Sequence, residues 1–284
     1  GAPVWVTRYA QDSTHKAFTR FLAALYAKAP MAELETMAEL ESLLALIALD
    51  LWSGRPDADL NMRCWRTTLP GGRWRWMLYD HDLWAAPTDP TVARMLAADR
   101  HEAPWLPAVL AHPELRERLL ALTVTLLATH LAPEQAVARA SAIHQENAAG
   151  LLADHARWAD HTGIPHPQQA LDTLHRHIEQ RPTALLQQLA KATNSRVVQL
   201  QLAVEPAGAA LITLDGMPLT DARTRFHALA GIPIQLDLKP DPGMEFIGWE
   251  QLPEAGPALT CDPAQKQRLT ARFRPVVLSR KDRP

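Results

Sequence analysis

Asp57, Asp59 and Asn61 stand close together, and Asp80 and Asp82 follow further along the chain. Carboxylates and amides are hard oxygen donors, the residue types that hold Mg²⁺ beside the oxygens of a phosphate. The sequence between the two groups decides whether they meet. Met62 to Thr68 and Arg73 to Tyr79 are rich in aromatic and β-favouring residues. Leu69-Pro70-Gly71-Gly72 between them is a turn signal, which predicts an antiparallel hairpin over 62–79. With the turn centred on Pro70 and Gly71, Asn61 falls opposite Asp80 at the open end of the hairpin, a geometry for a metal and a phosphate. Taken alone, the acids after Gly54 and Pro56 are ordinary turn chemistry, because Asp and Asn side chains bond their own backbone. The second acidic pair changes that, since carboxylates converging at one end repel unless a cation offsets them.

The elements around this hairpin are helical. Ser13 to Lys28 carries an apolar stripe (Phe18, Phe21, Leu22, Leu25) and stops before Pro30. Met31 to Leu51 reads as one helix broken by Ser53-Gly54-Arg55-Pro56. After Asp82 a Pro-rich loop holds a short helix around Val92 to Ala98. Helices are then expected over 115–127, 133–160 and 168–192. Near Asn194 the period changes to two. Five short strands are expected over 197–204, 210–214, 232–238, 245–249 and 267–273, the pattern of a small all-β module. The expected fold class is α+β: a mainly helical domain over 1–193 built round the hairpin, then a sandwich-like accessory domain over 196–276.

Composition excludes several classes. The 284 residues carry a net charge of −2 with no basic block, so no nucleic-acid partner is expected. No apolar run is long enough for a membrane span. Gly1-Ala-Pro3 opens the chain without a basic n-region or an apolar h-region, which leaves localisation open. Cys64 and Cys261 have neither a metal-ligand spacing nor a disulfide framework and read as buried small hydrophobes. The 12 His include no His-Glu-x-x-His, and His175 and His177 point to different faces of a helix. His81, between two acids, either pairs with one of them or points the other way. Trp65, Trp74 and Trp76 read as a stiff scaffold with the arginines beside them, and a stacking platform is the alternative. No nucleophile elbow or dinucleotide fingerprint supports a hydrolase or an oxidoreductase.

An acid, an Asn a few residues on, a hairpin and then a second acid is the order of parts in protein kinases. The interval from Asp57 to Asn61 is one residue shorter than in the kinase loop, and no His-Arg-Asp or Asp-Phe-Gly string is present. The segment DLWSGRPDADLNMRCWRTTLPGGRWRWMLYDHDLWA resembles the core of the CotH family, atypical protein kinases of the spore-coat-protein-H type. The run HPELRERLLALTVTLLATHLAPEQAVAR, with Trp158 and Arg181-Pro182, is similar to that family's helical region. Gly243 to Trp249 looks like the small β domain that often follows.

The resemblance implies transfer of the γ-phosphoryl of ATP to a Ser or Thr hydroxyl of a protein. Asp57 would be the catalytic acid, with Asp59 as the second assignment. Asn61 and Asp80 would hold Mg²⁺, and Asp82 would be a further ligand or an orienting group. It also implies a lobe covering the nucleotide, for which residues 1–30 supply Arg8, Lys16, Arg20 and Lys28 but no Gly-rich loop. The expectation is therefore a C-terminal kinase lobe, in a fragment or in a chain that has lost its cover. The rival is a non-catalytic surface or envelope binding module whose acids hold an ion or cap turns.

Overall fold

A computed structural model describes residues 12–58, 61–67, 69–97, 105–219 and 225–276. Helices and strands are both abundant, as expected of an α+β chain. Two compact units form: one from 1–122 with 180–194, the other from 123–179 with 195–284.

In the first unit, α1 (Asp12–Tyr26), α2 (Met31–Met37) and α3 (Leu40–Ser53) lead into a ribbon of β1 (Arg63–Trp65) and β2 (Arg75–Met77). α3 is buried over most of its surface, with Leu40, Leu43, Ile47 and Leu51 in the core, as its nearly continuous apolar sequence requires. The expected single helix over 31–51 is instead two. Ala38 between them is extended, Trp74 donates its N–H to the Met37 carbonyl, and Glu39 donates to the Trp74 carbonyl. The ribbon thus takes the backbone bonds that a continuous helix would have used, a tertiary choice that apolar periodicity cannot show.

The ribbon pairs Arg63 with Met77, Cys64 with Trp76 and Trp65 with Arg75. Extended by two residues, this register sets Asn61 level with Tyr79, one residue short of the expected Asp80. Its turn is the anticipated one. Gly72 donates to the Leu69 carbonyl at 3.0 Å with Gly71 at φ 78°, and a Cβ on Gly72 would lie 2.2 Å from the Thr67 carbonyl oxygen. One face is buried: Trp74 packs edge-on against Phe18 at 5.1 Å, and Trp76 lies 5.4 Å from Phe21. On the outer face Arg75 lies over Trp65 at 5.2 Å and Arg63 over Tyr79 at 4.2 Å, which supports the scaffold reading.

Beyond the ribbon come α4 (Thr91–Leu96), α5 (Leu106–Ala111) and α6 (Pro113–Ala128), followed by α7 (Pro133–Glu146), α8 (Ala148–Thr162) and α9 (Pro167–Ala192). The stretch expected as one helix over 133–160 breaks at Asn147, whose side-chain amide donates to the Ile143 carbonyl at 2.8 Å. Among the described residues no helix is long and apolar enough to cross a membrane.

Among the described residues the second unit carries eight strands, three more than expected. They are β3 (Val197–Glu205), β4 (Ala210–Leu214), β5 (Met217–Pro218), β6 (Arg225–Leu229), β7 (Ile234–Pro240), β8 (Met244–Trp249), β9 (Ala258–Cys261) and β10 (Arg268–Pro275). They make two four-stranded sheets, ordered β6-β3-β10-β8 and β5-β4-β7-β9. Asp215-Gly216 forms the β4–β5 turn with φ 45° and 79°, the pair of left-handed residues that a two-residue hairpin requires. Asp215 also accepts the Thr125 hydroxyl of α6 at 2.5 Å and the Gln235 N–H at 3.0 Å.

Candidate functional site

The site begins where α3 ends. The last carbonyls of a helix have no partner within it and must find one elsewhere. Gly54, left-handed at φ 69°, turns the chain, and the N–H groups of Gly54 and Arg55 both return to the Asp50 carbonyl. Arg181 of α9 donates to the next two carbonyls, from Nη2 to Leu51 at 2.6 Å and from Nε to Trp52 at 2.9 Å. Ala85 N–H takes the Ser53 carbonyl, and Arg94 Nη2 takes that of Gly54 at 2.7 Å. Two cations at a helix C-terminus also complement its dipole. Arg181 has no exposure, and its Nη1 reaches the carbonyls of Pro87 and Asp89 as well. Burial pulls its guanidinium down to about 10.

This pinned end presents Arg55, whose side chain is 1% exposed. Nη1 donates to Asp50 Oδ1 at 3.2 Å and to His81 Nδ1 at 3.3 Å, and Nε donates to Asp57 Oδ1 at 3.4 Å. Asn61 N–H donates to the Asp57 carbonyl at 3.2 Å, a bond between residues four apart. The side chains meet as well, with Asn61 Nδ2 donating to Asp57 Oδ2 at 2.7 Å. Both oxygens of Asp57 are therefore held, one by a buried cation and one by an amide, while its side chain stays 22% exposed. Burial pushes the Asp50 carboxyl up to about 7, with Arg55 opposing the rise and Asp57 adding to it. Burial lowers the His81 imidazole to about 4, with Arg55 adding to the fall and Asp57 and Asp82 opposing it.

Of the residues singled out in the sequence, the structure joins Asp57 and Asn61. Asp59 lies outside the described residues. Asp80 and Asp82 are exposed, and no hydrogen bond or ion pair ties either to Asp57 or Asn61 among the described residues. Asp80 sits in the left-handed region at φ 51°, a conformation that short polar residues tolerate better than others and that is frequent at functional sites. His81 turns inward, with Nε2 2.8 Å from Ser53 Oγ, and its carbonyl accepts Trp84 Nε1–H at 2.9 Å.

Sequence reasoning missed Asp50, Ser53, Arg55, Arg94 and Arg181. Two had a legible signal: Arg55, as a basic residue two places before an acid in a turn, and Arg181, quoted in the family resemblance without a role. Cys64 and Cys261 are unpaired, and burial raises their thiols to about 12 and about 11.

Among the described residues no group of three or more His, Cys, Asp or Glu is arranged to hold a metal. The oxygen donors at hand are fewer and of another kind: the Asn61 amide, whose nitrogen is engaged by Asp57 and whose oxygen is left as an acceptor, and the exposed carboxylates of Asp80 and Asp82. One or two carboxylates with an amide oxygen suit a hard cation that keeps waters and phosphate oxygens as its other ligands.

Neither a curated protein nor a solved structure matches the chain. A family model described as CotH kinase protein matches residues 6–185, a span holding the ribbon, Asp57 and Asn61, Asp80 and Arg181 and leaving both four-stranded sheets outside. Covering well over half of the sequence, that match establishes that the chain belongs to the CotH kinase family.

Proposed function

We propose that the chain transfers the γ-phosphoryl group of ATP to a Ser or Thr hydroxyl of a protein, with Mg²⁺ as cofactor. One observation carries this reading: Asp57, partly exposed, is fixed by Asn61 through one oxygen and by Arg55 through the other. A carboxylate accepting two hydrogen bonds keeps further lone pairs, so Asp57 can orient an acceptor hydroxyl and take its proton. The hydroxyl oxygen then bonds to the γ-phosphorus, the bond from that phosphorus to the bridging oxygen breaks, and ADP leaves. Asn61, Asp80 and Asp82 would hold Mg²⁺, which when bound offsets the charge carried by the phosphate oxygens. The two sheets, outside the family match, are assigned an accessory or interaction role.

The test is a phosphorylation assay on the full-length protein with Asp57→Asn and Asp80→Ala beside the wild type. Loss of the base should lower the rate roughly 10²–10⁴-fold. Asp80→Ala should also abolish a thermal shift caused by ATP with Mg²⁺. Equal activity in all three proteins removes both acids from the mechanism.

A further inference from the structure

We propose that Arg55 and His81 are positioning residues that tie the two halves of the phosphotransfer site together, holding the exposed acids Asp80 and Asp82 in register with Asp57 and Asn61. The inference rests on the reading of the site given above. It starts from the direction of the hydrogen bonds. Guanidinium only donates, so His81 Nδ1, 3.3 Å from Arg55 Nη1, must be an acceptor. The ring proton then sits on Nε2, which donates to Ser53 Oγ at 2.8 Å, and the Ser53 hydroxyl in turn donates to the Leu49 carbonyl at 3.0 Å. Arg55 Nε meanwhile reaches Asp57, which Asn61 also holds. A continuous line of hydrogen bonds therefore links α3, the His81 ring, the Arg55 fork, the acid and the amide, with Arg55 donating to both sides.

The tether stands in for something the exposed acids lack. Among the described residues Asp80 and Asp82 have no bond to Asp57 or Asn61, and Asp80 carries a left-handed backbone of the kind that persists only where its surroundings impose it. His81 lies between them and is fixed three times, at Nδ1, at Nε2 and through its carbonyl to Trp84. Where the ring goes, the two flanking carboxylates follow. Arg55 is spaced to serve both halves because its planar fork offers several donors in fixed directions, which a lysine at that position would not.

The experiment compares His81→Phe, which fills the space without polar atoms, with His81→Gln, whose amide can accept from Arg55 and donate to Ser53. Ser53→Ala serves as a second break in the same chain. The readouts are kcat, KM for ATP and the Mg²⁺ concentration giving half-maximal rate. Losing an outer partner of a metal site costs roughly 10–100-fold in metal affinity, so His81→Phe should raise the Mg²⁺ requirement and KM by that factor. Ser53→Ala should move them in the same direction, and His81→Gln should restore most of the loss. A merely structural histidine would lower Tm and the active fraction and leave KM and the Mg²⁺ requirement unchanged, and that result overturns the proposal.

Side-chain ¹⁵N spectra give an independent check. The wild type should show an unprotonated Nδ1 and a protonated Nε2 at neutral pH, and Arg55→Met should shift the Nδ1 signal. An unshifted Nδ1 also overturns the tether. A wild-type protein that neither binds ATP with Mg²⁺ nor transfers phosphate overturns the reading of the site and the positioning role with it. The ring spectrum separates that failure from an absent contact.

Discussion

Replacing Arg181 by Met keeps most of the aliphatic stem and removes every donor. In the native protein that side chain serves the carbonyls of Leu51, Trp52, Pro87 and Asp89 and the Thr91 hydroxyl. Two of these acceptors keep another partner: the Asp89 carbonyl retains Gln188 Nε2 at 2.8 Å, and Thr91 Oγ1 retains Asp89 Oδ1 at 2.6 Å. The carbonyls of Leu51, Trp52 and Pro87 are left without their donor. At about 1–3 kcal/mol per stranded buried group, the gross cost is about 3–9 kcal/mol.

Against this, the variant no longer buries a guanidinium, whose depression to about 10 reports a desolvation cost of about 3 kcal/mol. The net expectation is a loss of about 0–6 kcal/mol, centred on about 3 kcal/mol, a large part of the 5–15 kcal/mol typical of folded proteins. Chemical unfolding followed by tryptophan fluorescence suits the measurement, because Trp52 and Trp84 pack edge to face at 4.9 Å beside the affected helix end. A lower midpoint with an unchanged denaturant slope and a Tm lower by about 6–12 °C would match the argument. Arg181→Lys, with charge kept but its donors on one nitrogen, should fall between the two. A Met variant more stable than the wild type would refute the claim that this arginine satisfies the end of α3.

Three further outcomes follow from other positions. Gly54→Ala should destabilise by about 1–3 kcal/mol in thermal or chemical unfolding, because φ is 69° and the new Cβ would lie 3.0 Å from both Ala85 Cβ and Thr91 Oγ1. Asp50 holds its proton to about 7 when folded and only to 3.8 in the reference state, so across that window the folded protein binds more protons and this group's contribution to stability falls as pH rises. The stability of Asp50→Asn relative to wild type should therefore grow from about pH 4 to about pH 7 and level off above, as read from unfolding midpoints across that range. Both thiols, raised to about 12 and about 11, should react with a thiol reagent at pH 8 only slowly in the native protein and rapidly in denaturant.

The ribbon was legible because two aromatic runs flank Pro70-Gly71-Gly72, and turn chemistry of that kind is written in adjacent residues. Its register was not. A connection as long as Arg66 to Trp74 does not fix which residues face each other, and the observed pairing differs by one from the simple count. Asp57 and Asn61 were legible as candidates from their types and close spacing, but their direct hydrogen bond was not, since the expected facing partner of Asn61 was Asp80. The groups that hold them in place were not, because Arg181 and Leu51 are separated by most of the helical region and meet only through packing. His81 illustrates the limit well. Its neighbours in sequence are acids, yet its partners in space are a serine and an arginine from the end of α3.

The hydrogen bond from Thr125 to the Asp215 turn bears on how the protein can be dissected. It lies within the compact unit formed by 123–179 and 195–284, so the sheets and the middle helices share one body although α9 passes between them in sequence. The family match stops at residue 185, inside α9. Trimming the gene at that boundary, or just before the first strand of the sheets, would strip the middle helices of the surface that receives Thr125. Recombinant versions meant for assay should carry the chain through Pro275.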